Sequence, residues 1–129
     1  MWILGSEKDH ANAQQIVEQA GDGVVNLCGK TELVDAVDLL SICRAAISND
    51  SGLMHVAAAV GIPVVGIYGS STPDYTPPLS DRASVVYHRL ECSPCFKRRC
   101  HLGHSDCLPG ITVDEVWMQL NNQLNAGVE

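Results

Sequence analysis

Ala45-Ala46-Ile47-Ser48-Asn49-Asp50-Ser51-Gly52-Leu53-Met54-His55-Val56-Ala57-Ala58-Ala59-Val60 runs from an apolar stretch, through a polar turn, into a row of small residues. Ala45-Ala46-Ile47 reads as the end of a buried strand. Val56 to Val60 reads as a closely packed helix, stopped by Gly61 and followed by Pro63. Asn, Asp and Ser between the two are preferred helix caps, because a short side-chain oxygen can accept the orphan N–H groups of the first turn. Gly52 presents no Cβ, so a ligand can approach the backbone there. A strand, a sharp turn and a helix N-terminus together make an anion site, and phosphate suits it best. The same residues also suit an ordinary strand-to-helix connection with a good cap.

Working outward, the pattern repeats. Trp2-Ile3-Leu4 is a strand running into Gly5. Ser6-Glu7-Lys8-Asp9 has the capping-box form, and Ala13, Ile16, Val17 and Ala20 recur at helical spacing. Gly21-Asp22-Gly23 ends that helix. Residues 24–28 form the next strand, and Leu33, Ala36, Val37 and Leu40 mark a helix running to about Cys43. Beyond the central turn, residues 63–68 are apolar throughout, as in a strand covered on both faces. Ser84 to Tyr87 is a short strand, placed at an edge. Thr112-Val113-Asp114-Glu115 is a second capping box. It opens a closing helix striped with Val113, Val116, Trp117, Leu120 and Leu124. Alternating strands and helices with short connections predict an α/β, Rossmann-like parallel sheet with helices on both faces. Ligands of such sheets bind at the carboxyl ends of the strands. Four polar clusters fall there, at residues 5–9, 29–32, 49–55 and 69–74, and are expected along one edge of one sheet.

Length and composition narrow the classes. The 129 residues fit a single domain, expected over 1–129, and 46% hydrophobic with 18% charged residues describes a globular chain. The formal net charge of −7 argues against nucleic acid as a partner. A bound phosphate must then be held by local backbone donors. Glu7, Lys8, Asp9 and His10 follow the first apolar residues at once, so no secretory signal is evident and a cytoplasmic location is expected. The most membrane-like stretch, 53–69, is interrupted by His55, Gly61 and Pro63 and is short for a span. The opening directly on a strand fits either a lone first strand or a piece of a longer parent.

Three nucleotide or hydrolase signatures are missing. Gly29-Lys30-Thr31 looks like a P-loop tail but lacks the upstream glycine. No G-x-G-x-x-G follows the first strand, and there is no G-x-S-x-G elbow. Asp50, Ser51 and His55 offer an acid, a hydroxyl and an imidazole, but they share one helix turn with no separate oxyanion hole, which disfavours a hydrolase.

The stretch from Ser48 to Ala59, followed by Pro63-Val64-Val65-Gly66-Ile67-Tyr68-Gly69 and by Ser71-Thr72-Pro73-Asp74-Tyr75-Thr76-Pro77-Pro78, resembles the lipopolysaccharide heptosyltransferases of glycosyltransferase family 9, in particular their type II members. The resemblance extends over nearly the whole chain, from Gly5-Ser6-Glu7-Lys8-Asp9 to the cysteine-rich segment 92–107 and the closing helix. It implies the C-terminal, donor-binding half of a GT-B glycosyltransferase, without the start of that half and without the N-terminal acceptor domain. The implied donor is ADP-heptose and the implied acceptor the inner core of lipopolysaccharide, with inversion, at the cytoplasmic face of the inner membrane. The catalytic base would lie in the absent N-terminal domain, so this chain alone is expected to be inactive. No cofactor or metal is required for such a transfer. Residue by residue, the resemblance implies that Ser51, Gly52 and Leu53 offer N–H groups to the diphosphate. It implies Asp50 near the donor's sugar hydroxyls or holding the turn, and His55 near the departing ADP. Asp9 would contact the ribose and Thr31 the adenine. Against these roles, Asp9 and Asp50 also read as helix caps and His55 as a packed helix residue.

Of six cysteines, Cys28 and Cys43 fall in core-like elements. Cys92, Cys95, Cys100 and Cys107 form C-x₂-C-x₄-C-x₆-C with His101 and His104 between them. In a cytosolic chain such clustering points to metal or redox chemistry more than to structural disulfides. Zinc would take four thiolates, or three and a histidine, but the spacing is tighter than a zinc ribbon, and no metal ligand is assigned. Lys97-Arg98-Arg99 is a basic spot that suits a solvated loop or an anionic acceptor. A rival reading follows: a non-catalytic nucleotide-binding or cysteine-rich metal or interaction module.

Overall fold

A computed structural model describes residues 1–126. The elements are β1 (Trp2–Ile3), a 3-10 turn (Glu7–Asp9), α1 (His10–Ala20), β2 (Val25–Asn26), α2 (Leu33–Ser41), β3 (Ala46–Asn49), α3 (Gly52–Ala59), β4 (Val64–Tyr68), β5 (Ala83–Tyr87) and α4 (Val113–Asn125). They group into two compact units, Met1–Leu39 and the residues from Leu40 onward.

In the first unit β1 and β2 pair in parallel, Trp2 opposite Val25 and Ile3 opposite Asn26. The ladder continues past the strands' formal ends. Val25, Leu27 and Gly29 donate their N–H groups to the carbonyls of Met1, Ile3 and Gly5. Helix α1 packs on β2. Asn26 is buried at that contact, and both polar atoms of its side chain are satisfied. Its Nδ2 donates to the His10 carbonyl at 3.0 Å and its Oδ1 accepts the Cys28 N–H at 3.0 Å.

The second unit carries a three-stranded parallel sheet in the order β3-β4-β5. Helix α3 links β3 to β4 and packs on both, while α4 packs on β4 and β5. Strand β4 is central, which explains why its sequence is apolar on both faces. Met54, Ala57 and Ala58 of α3 are buried with Val64, Val65, Tyr68 and Val86. Burial of the larger of these side chains stabilises the unit by about 1.5–3 kcal/mol each.

Every strand pair is parallel and the expected elements form, but the pairing differs from one continuous sheet. The strands divide into a two-stranded and a three-stranded sheet. The first helix opens as a 3-10 turn, and α2 stops at Ser41, short of Cys43. In α4 the apolar stripe is only partly covered: Val116, Leu120 and Leu124 are half-buried, whereas Val113 and Trp117 are 83% and 58% exposed.

Candidate functional site

The turn between β3 and α3 has an open helix end. Ser51 occupies the N-cap with extended backbone, φ −153° and ψ 166°, yet its side chain makes no capping bond. Its hydroxyl turns instead to the Ser48 hydroxyl at 3.2 Å. The Met54 N–H turns back to the Ser51 carbonyl at 3.1 Å, but the Gly52 and Leu53 N–H groups before it have no intrahelical partner, so this end keeps donors and its positive dipole. A Cβ on Gly52 would meet nothing within 4 Å. The backbone at Gly52 therefore faces open space that a ligand can occupy. Leu53 and His55 follow in the first turn, both half-buried. The structure thus brings Asp50, Ser51, Gly52, Leu53 and His55 together in one strand-to-helix turn.

Asp50 is held rather than loose. Its N–H donates to the Ile67 carbonyl of β4 at 3.2 Å, and its carboxylate accepts the Thr76 hydroxyl at 3.0 Å. Thr76 is itself positioned from the core: the Tyr68 hydroxyl donates to its carbonyl. Tyr68 is fully buried at the end of β4, and its hydroxyl also lies 3.5 Å from the Met54 sulfur. Burial, with the Asp50 carboxylate nearby, pushes the Tyr68 phenol up to about 12. The loop carrying Thr76 is stiffened at its other end. There the Thr72 hydroxyl accepts the Asp74 N–H, and the Asp74 carboxylate takes a forked contact from Arg89 at 2.9 Å. The Arg89 hydrogen bond, foremost, and then the nearby Thr72 hydroxyl hold the Asp74 carboxyl below its ordinary range. Tyr68 and Thr76 are the residues that sequence reasoning left without a role. The available signal was a tyrosine closing a wholly apolar strand, because a buried phenol needs a polar partner.

In the first unit the clusters at the ends of β1 and β2 adjoin. Gly29 donates to the Gly5 carbonyl at 3.0 Å. It has φ +73°, and a Cβ there would lie 2.0 Å from the Glu7 carboxylate and 3.0 Å from the Glu7 Cα. Only glycine lets the two turns close this far. Asp9 is exposed, and one of its oxygens accepts both the Ser6 N–H at 2.8 Å and the Ser6 hydroxyl at 2.6 Å. The hydroxyl bond, then the N–H bond, holds its carboxyl below the ordinary range. Asp9 thus completes a capping box, and Thr31 is half-buried in the loop after Gly29.

The cysteine-rich segment sits on the end of β4. The Cys95 and Phe96 N–H groups both donate to the Ser70 carbonyl, and the Ser93 hydroxyl donates to the Gly69 carbonyl. The six cysteines are thiols, with no disulfide between them. Cys92, Cys95, Cys100 and Cys107 all line one cavity of about 120 Å³, beside Lys97 and Arg98. Among the described residues, no three His, Cys, Asp or Glu side chains converge in a way that holds a metal ion. Among them, too, no helix is long and apolar enough to cross a membrane.

Comparison with known proteins gives a consistent result. The sequence model of glycosyltransferase family 9 (heptosyltransferase) matches residues 1–105. The lipooligosaccharide heptosyltransferase 2 of Haemophilus ducreyi is 43% identical over 131 aligned residues, covering 95% of this chain and 37% of that protein. The lipopolysaccharide heptosyltransferase 2 of Escherichia coli is 40% identical, covering 92% of this chain and 35% of that protein. The solved structure of the E. coli ADP-heptose lipopolysaccharide heptosyltransferase II superposes with a TM-score of 0.82 at 38% identity, over 97% of this chain and 36% of that one. A family 9 glycosyl transferase from Veillonella parvula gives 0.83 at 26% identity. The chain therefore spans about a third of the length of the curated relatives it matches.

Proposed function

The chain belongs to glycosyltransferase family 9, and from that premise we propose that it forms the nucleotide-sugar-binding part of a heptosyltransferase. The donor is ADP-heptose and the acceptor the lipopolysaccharide inner core. The observation that carries the reading is the open N-terminus of α3. Its capping side chain is turned away, and its first glycine faces empty space.

The residues divide the task. The N–H groups of Ser51, Gly52 and Leu53 bind the diphosphate, whose charge the helix dipole favours. As the bond from heptose to diphosphate breaks, negative charge grows on the leaving ADP, and fixed donors there lower the barrier without reorganising. His55 adds a donor one turn into the helix. Asp50, fixed by Thr76, receives the hydroxyls of the donor sugar. Asp9 takes the ribose hydroxyls through its remaining acceptor capacity, and Thr31 flanks the adenine. No metal or cofactor is needed for this division. The base that deprotonates the acceptor comes from the N-terminal domain of such an enzyme, and the part described here holds the donor. The parent works in the cytoplasm, against the inner membrane that holds its acceptor.

Calorimetric titration with ADP, and with UDP for comparison, tests the reading. Selective binding of ADP is expected. A preference for UDP would overturn the donor, and the binding of neither nucleotide by a chain restored to the parent's full length would overturn the site.

A further inference from the structure

The cysteine segment carries chemistry that donor binding does not use, and it can be read without reference to the nucleotide. From Cys100 onward the chain winds through consecutive tight turns. The Gly103 N–H donates to the Cys100 carbonyl, the Ser105 N–H to the Cys100 sulfur at 3.3 Å, and the Leu108 N–H to the Ser105 carbonyl. Cys107 lies two residues past Ser105 in the same coil and lines the same cavity as Cys100. Lys97 and Arg98 are on that cavity's wall, and no carboxylate lines it. A half-exposed sulfur that accepts backbone N–H groups beside cations is the setting of a reactive thiolate. We propose that Cys100 and Cys107 form a thiol–disulfide exchange site, with Cys100 the attacking sulfur and Cys107 the resolving one, acting on low-molecular-weight disulfides.

The ionisation of the two thiols runs the same way. The N–H groups of Ser105, first, then of Leu102, Gly103 and His104, draw the Cys100 thiol down. Burial pushes the Cys107 thiol up, and Cys100 is the foremost of the neighbouring thiols that add to this. With glutathione disulfide as oxidant, the Cys100 thiolate attacks one glutathione sulfur. The glutathione S–S bond breaks and one glutathione thiolate leaves. Cys107 then loses its proton and attacks the Cys100 sulfur of the mixed disulfide, and the second glutathione thiolate departs. Two electrons pass from the protein to the oxidant, and the thiol protons end on the released glutathione. Such exchange favours an attacking thiol whose ionisation is drawn down toward the ambient pH, and it needs a second thiol within reach.

The test uses the chain in buffers of stepped reduced and oxidised glutathione, quenched by alkylation and mapped by mass spectrometry. No Lys or Arg lies between Cys100 and Cys107, so trypsin leaves both on one peptide, while Cys92 and Cys95 fall on another. The expected result is a loss of two hydrogens confined to the Cys100 peptide. In Cys107→Ser, Cys100 should instead hold a glutathione adduct. In the unmodified chain, iodoacetamide at pH 7 should alkylate Cys100 several-fold faster than Cys107, a reading that needs no variant. A disulfide confined to Cys92 and Cys95, equal alkylation rates, or stoichiometric zinc that shields all four thiols would each overturn the proposal.

Discussion

Two turns in this chain leave a strand and start a helix with a serine and an aspartate, and they use these residues in opposite ways. At Ser6–Asp9 the carboxylate folds back onto the Ser6 N–H and hydroxyl, so the turn satisfies itself. At Asp50–Gly52 the carboxylate is drawn off to Thr76, and the Ser51 hydroxyl to Ser48. The second helix end is left uncapped, and an uncapped end forgoes about 1 kcal/mol of stability. The same residue vocabulary makes a closed structural cap in one place and an open helix end in the other. What separates them is position: Asp9 stands three residues after its cap and can reach back to it, whereas Asp50 stands before Ser51 and reaches out to Thr76 instead.

That contrast can be broken experimentally. The largest effect should come from Gly52→Val. Its side chain enters the empty space over the α3 end, and ADP affinity should fall at least about tenfold, ~1.4 kcal/mol. Because a Cβ there meets nothing, the thermal unfolding midpoint should barely move. Calorimetry beside a melt reads both, and unchanged affinity would remove the site from the turn. The converse is Gly29→Val at the closed pair of turns. The left-handed φ and the Glu7 backbone make this a fold defect of about 1–3 kcal/mol, visible in urea unfolding. A wild-type midpoint would mean that the close approach is not needed. Thr76→Val should sit between these extremes. Losing the strut should weaken ADP a few-fold, below about 1.4 kcal/mol, with Asp50 free to swing toward the cap. A loss as large as that of Gly52→Val would make Thr76 a direct ligand contact.

The smallest effect is electrostatic. The Thr112 N–H, then His88, then the Thr112 hydroxyl, hold Glu115 in its own closed capping box at about 2, below its ordinary 4.5. A depressed carboxyl contributes stability above its unfolded value and loses it as the pH falls through the folded one. Melts taken from pH 5 to pH 2 should therefore slope downward, and Glu115→Gln should flatten part of that slope. An identical acid limb in the variant would show that the box carries no linkage.

Local features were legible where one period or one cap decides the structure. The buried centre of β4 follows from its unbroken apolar run, and α3 from the turn residues that precede it and the small residues within it. The Thr112 box appears with both of its reciprocal bonds. What escaped depends on partners far along the chain. Nothing near Asp50 announces a bond to a hydroxyl 26 residues later. The division of the strands into two sheets is set by pairing, which hydrophobic periodicity does not encode. Trp117 fits a helical stripe perfectly well and still stays exposed, because a stripe says which side is apolar and not whether anything in this chain covers it.

Tyr68 has a consequence for the order of folding. Its hydroxyl ties Thr76, eight residues on, and Met54, fourteen residues back, while Thr76 in turn ties Asp50. Two of these closures are short and the third spans 26 residues, and none reaches before residue 50 or past residue 76. The chain entropy that such closures cost grows only slowly with their length, and they need no segment beyond Thr76. The turn between β3 and α3 should therefore begin to take shape early in synthesis, while the cysteine segment and α4 have yet to be made.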